Sequence, residues 1–101
     1  MGEARTLRLR FTRIAARELD EVLSNVAERS PQGARAVRAR IQTVVELLRE
    51  HPHSGQLTSR PRLRRIVVVP YPYLVFYEVR GVEVIVVAVR HAARDPAGMP
   101  G

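Results

Sequence analysis

The sequence predicts a single α+β domain. An N-terminal strand is followed by an α-helical hairpin and then by a three-stranded antiparallel meander. Together the strands would form one sheet with the helices packed on one face. Three observations predict this. Leu7, Leu9 and Phe11 alternate with Arg8, Arg10 and Thr12, the period-two pattern of a half-buried strand. Between Thr12 and His51, apolar residues recur at helical spacing in two runs broken at Ser30-Pro31. The last third, Arg60 to Pro96, holds three β-rich runs divided by Pro70-Tyr71-Pro72 and Arg80-Gly81.

Each element can be justified in order. Residues 1–5 read as a frayed start. Thr12 is suited to cap the first helix, because its hydroxyl can accept one of the unpaired N–H groups of the first turn. Ala15, Leu19, Val22 and Val26 then share one face with Leu23 on its flank, while Arg17, Glu18, Asp20 and Glu21 are expected to face water. Ser30 caps a second helix that has Pro31 at its first position. Its apolar stripe is Val37, Ile41, Val44, Val45 and Leu48, and Pro52 bars its continuation. His51 to Ser59 read as a polar loop around Gly55.

In the meander, the run Leu63 to Val69 is basic at its start and apolar at its end. The two prolines at 70 and 72 interrupt pairing, since proline donates no ladder hydrogen bond. In the next strand Val75, Tyr77 and Val79 share one face, and Leu74, Phe76 and Glu78 the other. Arg80-Gly81 fits a tight hairpin turn with glycine where φ is positive. Val82 to Val89 is apolar on both faces apart from Glu83, which predicts a central strand between its meander neighbour and the N-terminal strand. Residues 97–101 read as a loose tail.

At 101 residues and 46% hydrophobic content, one modest core can be buried without staples. There is no cysteine, which excludes disulfides and thiolate metal sites. No apolar run approaches the roughly 20 residues of a membrane span. The N-terminus lacks a signal-peptide core, so a soluble, cytoplasmic protein with no membrane partner is expected. The net charge is +7, and all 17 basic residues are arginine. Such a surface seeks an acidic partner, either nucleic acid or protein.

Three groups could carry chemistry. Arg60, Arg62, Arg64 and Arg65 lie close together with no acid between them. On a strand, Arg62 and Arg64 would point one way and Arg65 the other, offering bidentate donors to phosphates or an acidic peptide. The plainer reading is a charged edge strand that resists aggregation. His91, Arg94 and Asp95 follow the last strand. They could supply a base and a phosphate clamp; alternatively Asp95 pairs with an arginine before Pro96 while His91 packs at the sheet end. Tyr71, Tyr73 and Tyr77 could stack on bases, but tyrosines on a sheet more often pack with the hydroxyl at the rim. His51 and His53 have no partner at metal spacing. No glycine-rich phosphate loop, nucleophile elbow or zinc spacing occurs, so neither cofactor nor metal is expected.

The ordered set of motifs resembles the ParE branch of the RelE/ParE superfamily of bacterial toxin–antitoxin modules. It runs from the strand and Ala15…Glu18-Leu19, through Leu47-Leu48-Arg49-Glu50-His51-Pro52-His53-Ser54-Gly55, to Leu63-Arg64-Arg65. It continues through Pro70-Tyr71-Pro72-Tyr73-Leu74-Val75-Phe76-Tyr77-Glu78-Val79 and closes on Val89-Arg90-His91-Ala92-Ala93-Arg94-Asp95. The resemblance covers about Leu7 to Pro96. It implies a RelE/ParE-like sheet packed by a helical hairpin, and a toxin neutralised by a small acidic, ParD-like antitoxin. ParE-side relatives poison DNA gyrase and block replication; RelE-side relatives cleave mRNA on the ribosome. This chain departs from the RelE side in having no lysine, no tyrosine after Tyr77, and leucine at position 74.

The gyrase reading therefore leads, with no catalytic residue. Arg62, Arg64, Arg65 and Arg94 would be target contacts, beside gyrase-bound DNA. Leu19, Leu23 and Leu47, on or beside the helical stripes, would meet an amphipathic antitoxin helix. In the nuclease alternative, His91 serves as acid or base with Arg64 and Arg94 on the phosphate. A third possibility is an inactive relative that binds only its antitoxin.

Overall fold

A computed structural model describes residues 6–94. The element order is β1 (Arg8–Phe11), α1 (Arg13–Arg29), α2 (Pro31–Glu50), β2 (Gln56–Leu57), β3 (Leu63–Val67), β4 (Tyr73–Arg80) and β5 (Glu83–His91). A 3-10 turn, Ala92–Arg94, follows. The five strands form one sheet in the order β1-β5-β4-β3-β2. The α+β class, the N-terminal strand, the hairpin and the meander are as expected.

Both helices start as their sequences dictate. The Thr12 hydroxyl accepts from the Ala15 N–H at 3.1 Å. Ser30 is the whole connection between the helices. Its N–H donates to Val26 O at 2.8 Å, closing α1, and its Oγ accepts from the Gly33 N–H at 2.9 Å, opening α2. With no loop to fold back through, the antiparallel hairpin is fixed at a single residue.

The hairpin lies on the sheet face that carries Leu9, Phe11, Tyr73, Val75, Tyr77, Val84, Val86 and Val89. Val37, Ile41, Val44, Val45 and Leu48 of α2 are all buried there. On α1 only Ala15 is fully buried; Leu19, Val22, Leu23 and Val26 pack half-buried around it. A smaller cluster, Leu63, Leu74, Phe76 and Ala88, occupies the opposite face.

β5 is central, between the parallel β1 and the antiparallel β4. Its apolar character on both faces has a second cause. Tyr77 pairs with Val86 and Phe76 with Ala88, so Val87 is an extra residue. This bulge shifts the alternation, placing Val84, Val86 and then Val89 toward the helices. The turn before β5 is Gly81-Val82, with Gly81 at φ +56° and open space around it, so only backbone conformation demands glycine. Val82, expected at the start of the strand, is 58% exposed in that turn.

Three local expectations are corrected. The presumed loop 51–59 contains β2, which pairs Gln56 with Arg65 and Leu57 with Arg64. Arg62 is not on a strand: it occupies the turn before β3 at φ 68°, so the expected Arg62/Arg64 face does not form. Glu18 does not simply face water. Its carboxylate accepts from the Val89 N–H at 2.9 Å and from Arg90 Nε at 3.2 Å. It thereby covers β5 where that strand runs past the end of β1.

Candidate binding surfaces

The loop after α2 is organised from within the sheet. Tyr77 is fully buried. Its hydroxyl donates to Pro52 O at 2.8 Å and accepts from the Gly55 N–H at 2.9 Å. Arg64 Nη1 donates to Gly55 O at 2.8 Å and His53 O at 3.2 Å. A Cβ on Gly55 would stand 2.6 Å from the Tyr77 hydroxyl and 2.8 Å from Arg65 O, so no side chain fits. Burial pushes the Tyr77 hydroxyl above its usual value of 10.0, against the opposing pull of the Gly55 N–H, the Arg64 charge and Ser54.

This web disperses the arginine cluster. Arg64 is half-buried and committed to carbonyls. Arg65 crosses to the helix-free face, where Nη2 lies 3.4 Å from Gln56 Oε1. Arg62 is exposed in its turn. The helix-free face gains other arginines that the cluster did not suggest. By register, Arg8 and Arg10 on β1 and Arg80 on β4 stand on the same face as Arg65. Arg10 pairs with Glu83 at 3.5 Å and Arg80 with Glu78 at 2.8 Å. The alternation of Arg8 and Arg10 with the buried side of β1 was the available signal.

His91 ends β5 opposite Tyr73, and the two rings meet edge-on with centroids 5.3 Å apart. His91 Nδ1 accepts from the Ala93 N–H at 3.0 Å, which leaves Nε2 as the protonated nitrogen. Arg64 stands opposite Tyr77, four residues further along β4 and on its other flank. That is roughly 13 Å of strand rise from His91, so these two are not brought together. The backbone of Arg94 lies in the 3-10 turn beside His91. Its side chain, and Asp95 entirely, lie outside the described residues.

On the helical hairpin three shallow grooves run into one another. Leu23 lines the first with Ala27, Ala34, Arg35 and Arg38, and Leu19 lines the second with Leu9, Phe11, Ile41 and Val45, again with Arg38 at the rim. Gln42 and Glu46 join the second groove to the third, where Leu47 is 50% exposed. Leu19, Leu23 and Leu47 thus fall along one trough. Leu9, Phe11 and Arg38 belong to it as well, and sequence reasoning placed none of them there. Among the described residues no helix is long and apolar enough to cross a membrane.

Residues 9–96 match the family model described as ParE toxin of type II toxin-antitoxin system, parDE. A protein named Putative toxin Y4kP, from Sinorhizobium fredii, is 36% identical over 83% of this chain and 88% of its own. Toxin RelE2 of Caulobacter vibrioides is 36% identical over 79% of this chain and 89% of its own. Among solved structures, the chromosomal ParDE system from P. aeruginosa superposes with a TM-score of 0.75 at 22% identity, covering 85% of this chain and 96% of the other. The RelBE2 toxin–antitoxin complex of Mycobacterium tuberculosis gives a TM-score of 0.61 at 20% identity, covering 92% and 99%.

Proposed function

Because the chain belongs to the ParE family of type II toxin–antitoxin toxins, we propose that it is a non-enzymatic poison of DNA gyrase held in check by a cognate acidic antitoxin. The observation that carries this reading is the separation of His91 from Arg64. Cutting a phosphodiester requires an acid or base and a cation at one phosphate, within about 2.6–3.2 Å of the atoms they serve. His91 and Arg64 lie on opposite flanks of β4 at different heights, and Arg64 already serves two loop carbonyls. What remains is a means of gripping. Arg62 in its turn, Arg65 on the helix-free face and Arg94 beyond β5 would dock on gyrase beside its bound DNA. Arg64 acts indirectly by fixing the loop behind them.

The trough on the hairpin is the antitoxin site in this reading. An amphipathic helix laid along it would cover Leu19, Leu23 and Leu47, with acidic residues meeting Arg35 and Arg38. Arg38→Glu should weaken antitoxin binding by about tenfold or more, through lost attraction and new repulsion.

The decisive assay is supercoiling by purified gyrase with increasing toxin. Inhibition with translation left intact supports the reading, and full activity at saturating toxin overturns it. The ribosome-dependent nuclease alternative draws support from the Caulobacter relative named Toxin RelE2. It predicts codon-phased mRNA cuts that disappear in His91→Ala.

A further inference from the structure

The chain leaves β5 through a turn that two hydrogen bonds tie down. The Ala92 N–H donates to Pro72 O at 2.8 Å. One residue later, the Ala93 N–H donates to His91 Nδ1 at 3.0 Å. The first acceptor is a backbone carbonyl and is the same at every pH. The second is a ring nitrogen, which accepts only while the imidazole is neutral. Histidine is the side chain whose ordinary charge change falls between about pH 5 and 8.

A proton on Nδ1 would set two N–H groups against each other, so either the ring or the turn has to move. The ring is the more restrained. It is half-buried at the end of β5, opposite Tyr73, whose own buried ring meets it edge-on at 5.3 Å. Ala92 and Ala93 are exposed. Among the described residues, the titratable and charged groups facing His91 are Tyr73 on β4 and Glu28 and Arg29 at the end of α1. Those two charges are opposite in sign and both exposed, so neither fixes the charge of the ring. Arg90, its chain neighbour, is engaged by Glu18.

We propose that His91 is a pH-sensitive latch on the turn Ala92–Arg94. Neutral, it closes the turn. Protonated, it releases Ala93 and the backbone of Arg94 while Ala92 stays anchored to Pro72. The consequence for docking runs through Arg94 and rests on the gyrase reading above: acidification loosens that contact and leaves the sheet intact. The latch itself is independent of what the toxin attacks.

The test is hydrogen exchange of the full chain, read by NMR between about pH 5 and 8, with Ala92 as internal reference. Protection at Ala93, corrected for the intrinsic pH dependence of exchange, should fall about fivefold as the His91 ring protonates, the factor for one ordinary hydrogen bond. Ala92 should keep its protection throughout. His91→Asn places a side-chain oxygen that accepts from an N–H two residues on, and should hold Ala93 protected at both ends of the range. His91→Phe keeps a ring against Tyr73 but offers no acceptor, and should leave Ala93 unprotected at both ends. Protection at Ala93 that stays level through the His91 titration overturns the proposal. So does a His91→Asn variant that loses protection on acidification as the wild type does, or a His91→Phe variant that matches the wild type at high pH. A toxin that leaves supercoiling untouched would remove the role of Arg94 without altering these exchange results.

Discussion

Replacing Tyr77 with phenylalanine removes one oxygen from a fully buried ring and leaves the packing of that ring intact. Two hydrogen bonds go with it. The buried Gly55 N–H loses its partner, which costs about 1–3 kcal/mol because no water replaces it. The Pro52 carbonyl is only half-buried and can turn to solvent, so its loss adds about 0.5–1 kcal/mol. The sum is about 1.5–4 kcal/mol, a large share of the stability of a domain this size. Urea unfolding followed by circular dichroism should therefore show the midpoint falling by about 2 M, at a slope near 1–2 kcal/mol/M. Hydrogen exchange at Gly55 should accelerate in parallel. The hydroxyl's pKa is raised, so the folded state holds this proton more tightly than the unfolded chain does. Stability owed to it is intact below the ordinary value near 10.0 and declines as pH climbs through the folded value. The wild type should lose stability on that alkaline limb, and the Phe variant should lack this component. A stability loss below about 0.5 kcal/mol, with Gly55 exchange unchanged, would refute the idea that this hydroxyl anchors the loop.

Other perturbations follow from the same geometry. Gly55→Ala drives a methyl into the Tyr77 hydroxyl and the Arg65 carbonyl and should cost about 1–3 kcal/mol in a thermal melt. Glu18→Ala leaves the Val89 N–H without its acceptor and should raise hydrogen exchange there well above that of Val84. Glu18→Gln, which keeps an acceptor oxygen, should restore most of that protection. Thr12→Ala removes the α1 cap and should lower stability by about 1 kcal/mol, or about 4–8 °C in Tm.

Much of this architecture could be read directly from residue order, and the exceptions have physical causes. The helical stripes, the Thr12 and Ser30 caps, Gly81 and the central position of β5 are local or periodic signals, and each was legible. β2 was not, because two residues cannot show alternation, and Gln56–Leu57 follow a loop held by Tyr77 and Arg64, contacts that local sequence does not reveal. Glu18 looked like one acid among several on a wet face; its partner Val89 is 71 residues away in sequence. The arginine cluster suggested one concentrated site. A positive φ at Arg62 and the capture of Arg64 by carbonyls broke it apart, and neither is encoded in charge spacing. On the hairpin, Leu47 was legible as a flank position. Leu9 and Phe11 were assigned to the core and turned out to line the trough too.

The parallel pairing of β1 with β5 joins Leu9 to Val84. During synthesis the helical hairpin can close on itself early, since its contacts are local, whereas β1 has to wait for a neighbour 75 residues further along the chain. Until β5 is translated, the nascent polypeptide carries β1 unpaired and its sheet unfinished. A chain cut short before Glu83 would lack the only neighbour β1 has among the described strands and leave that edge without its partner.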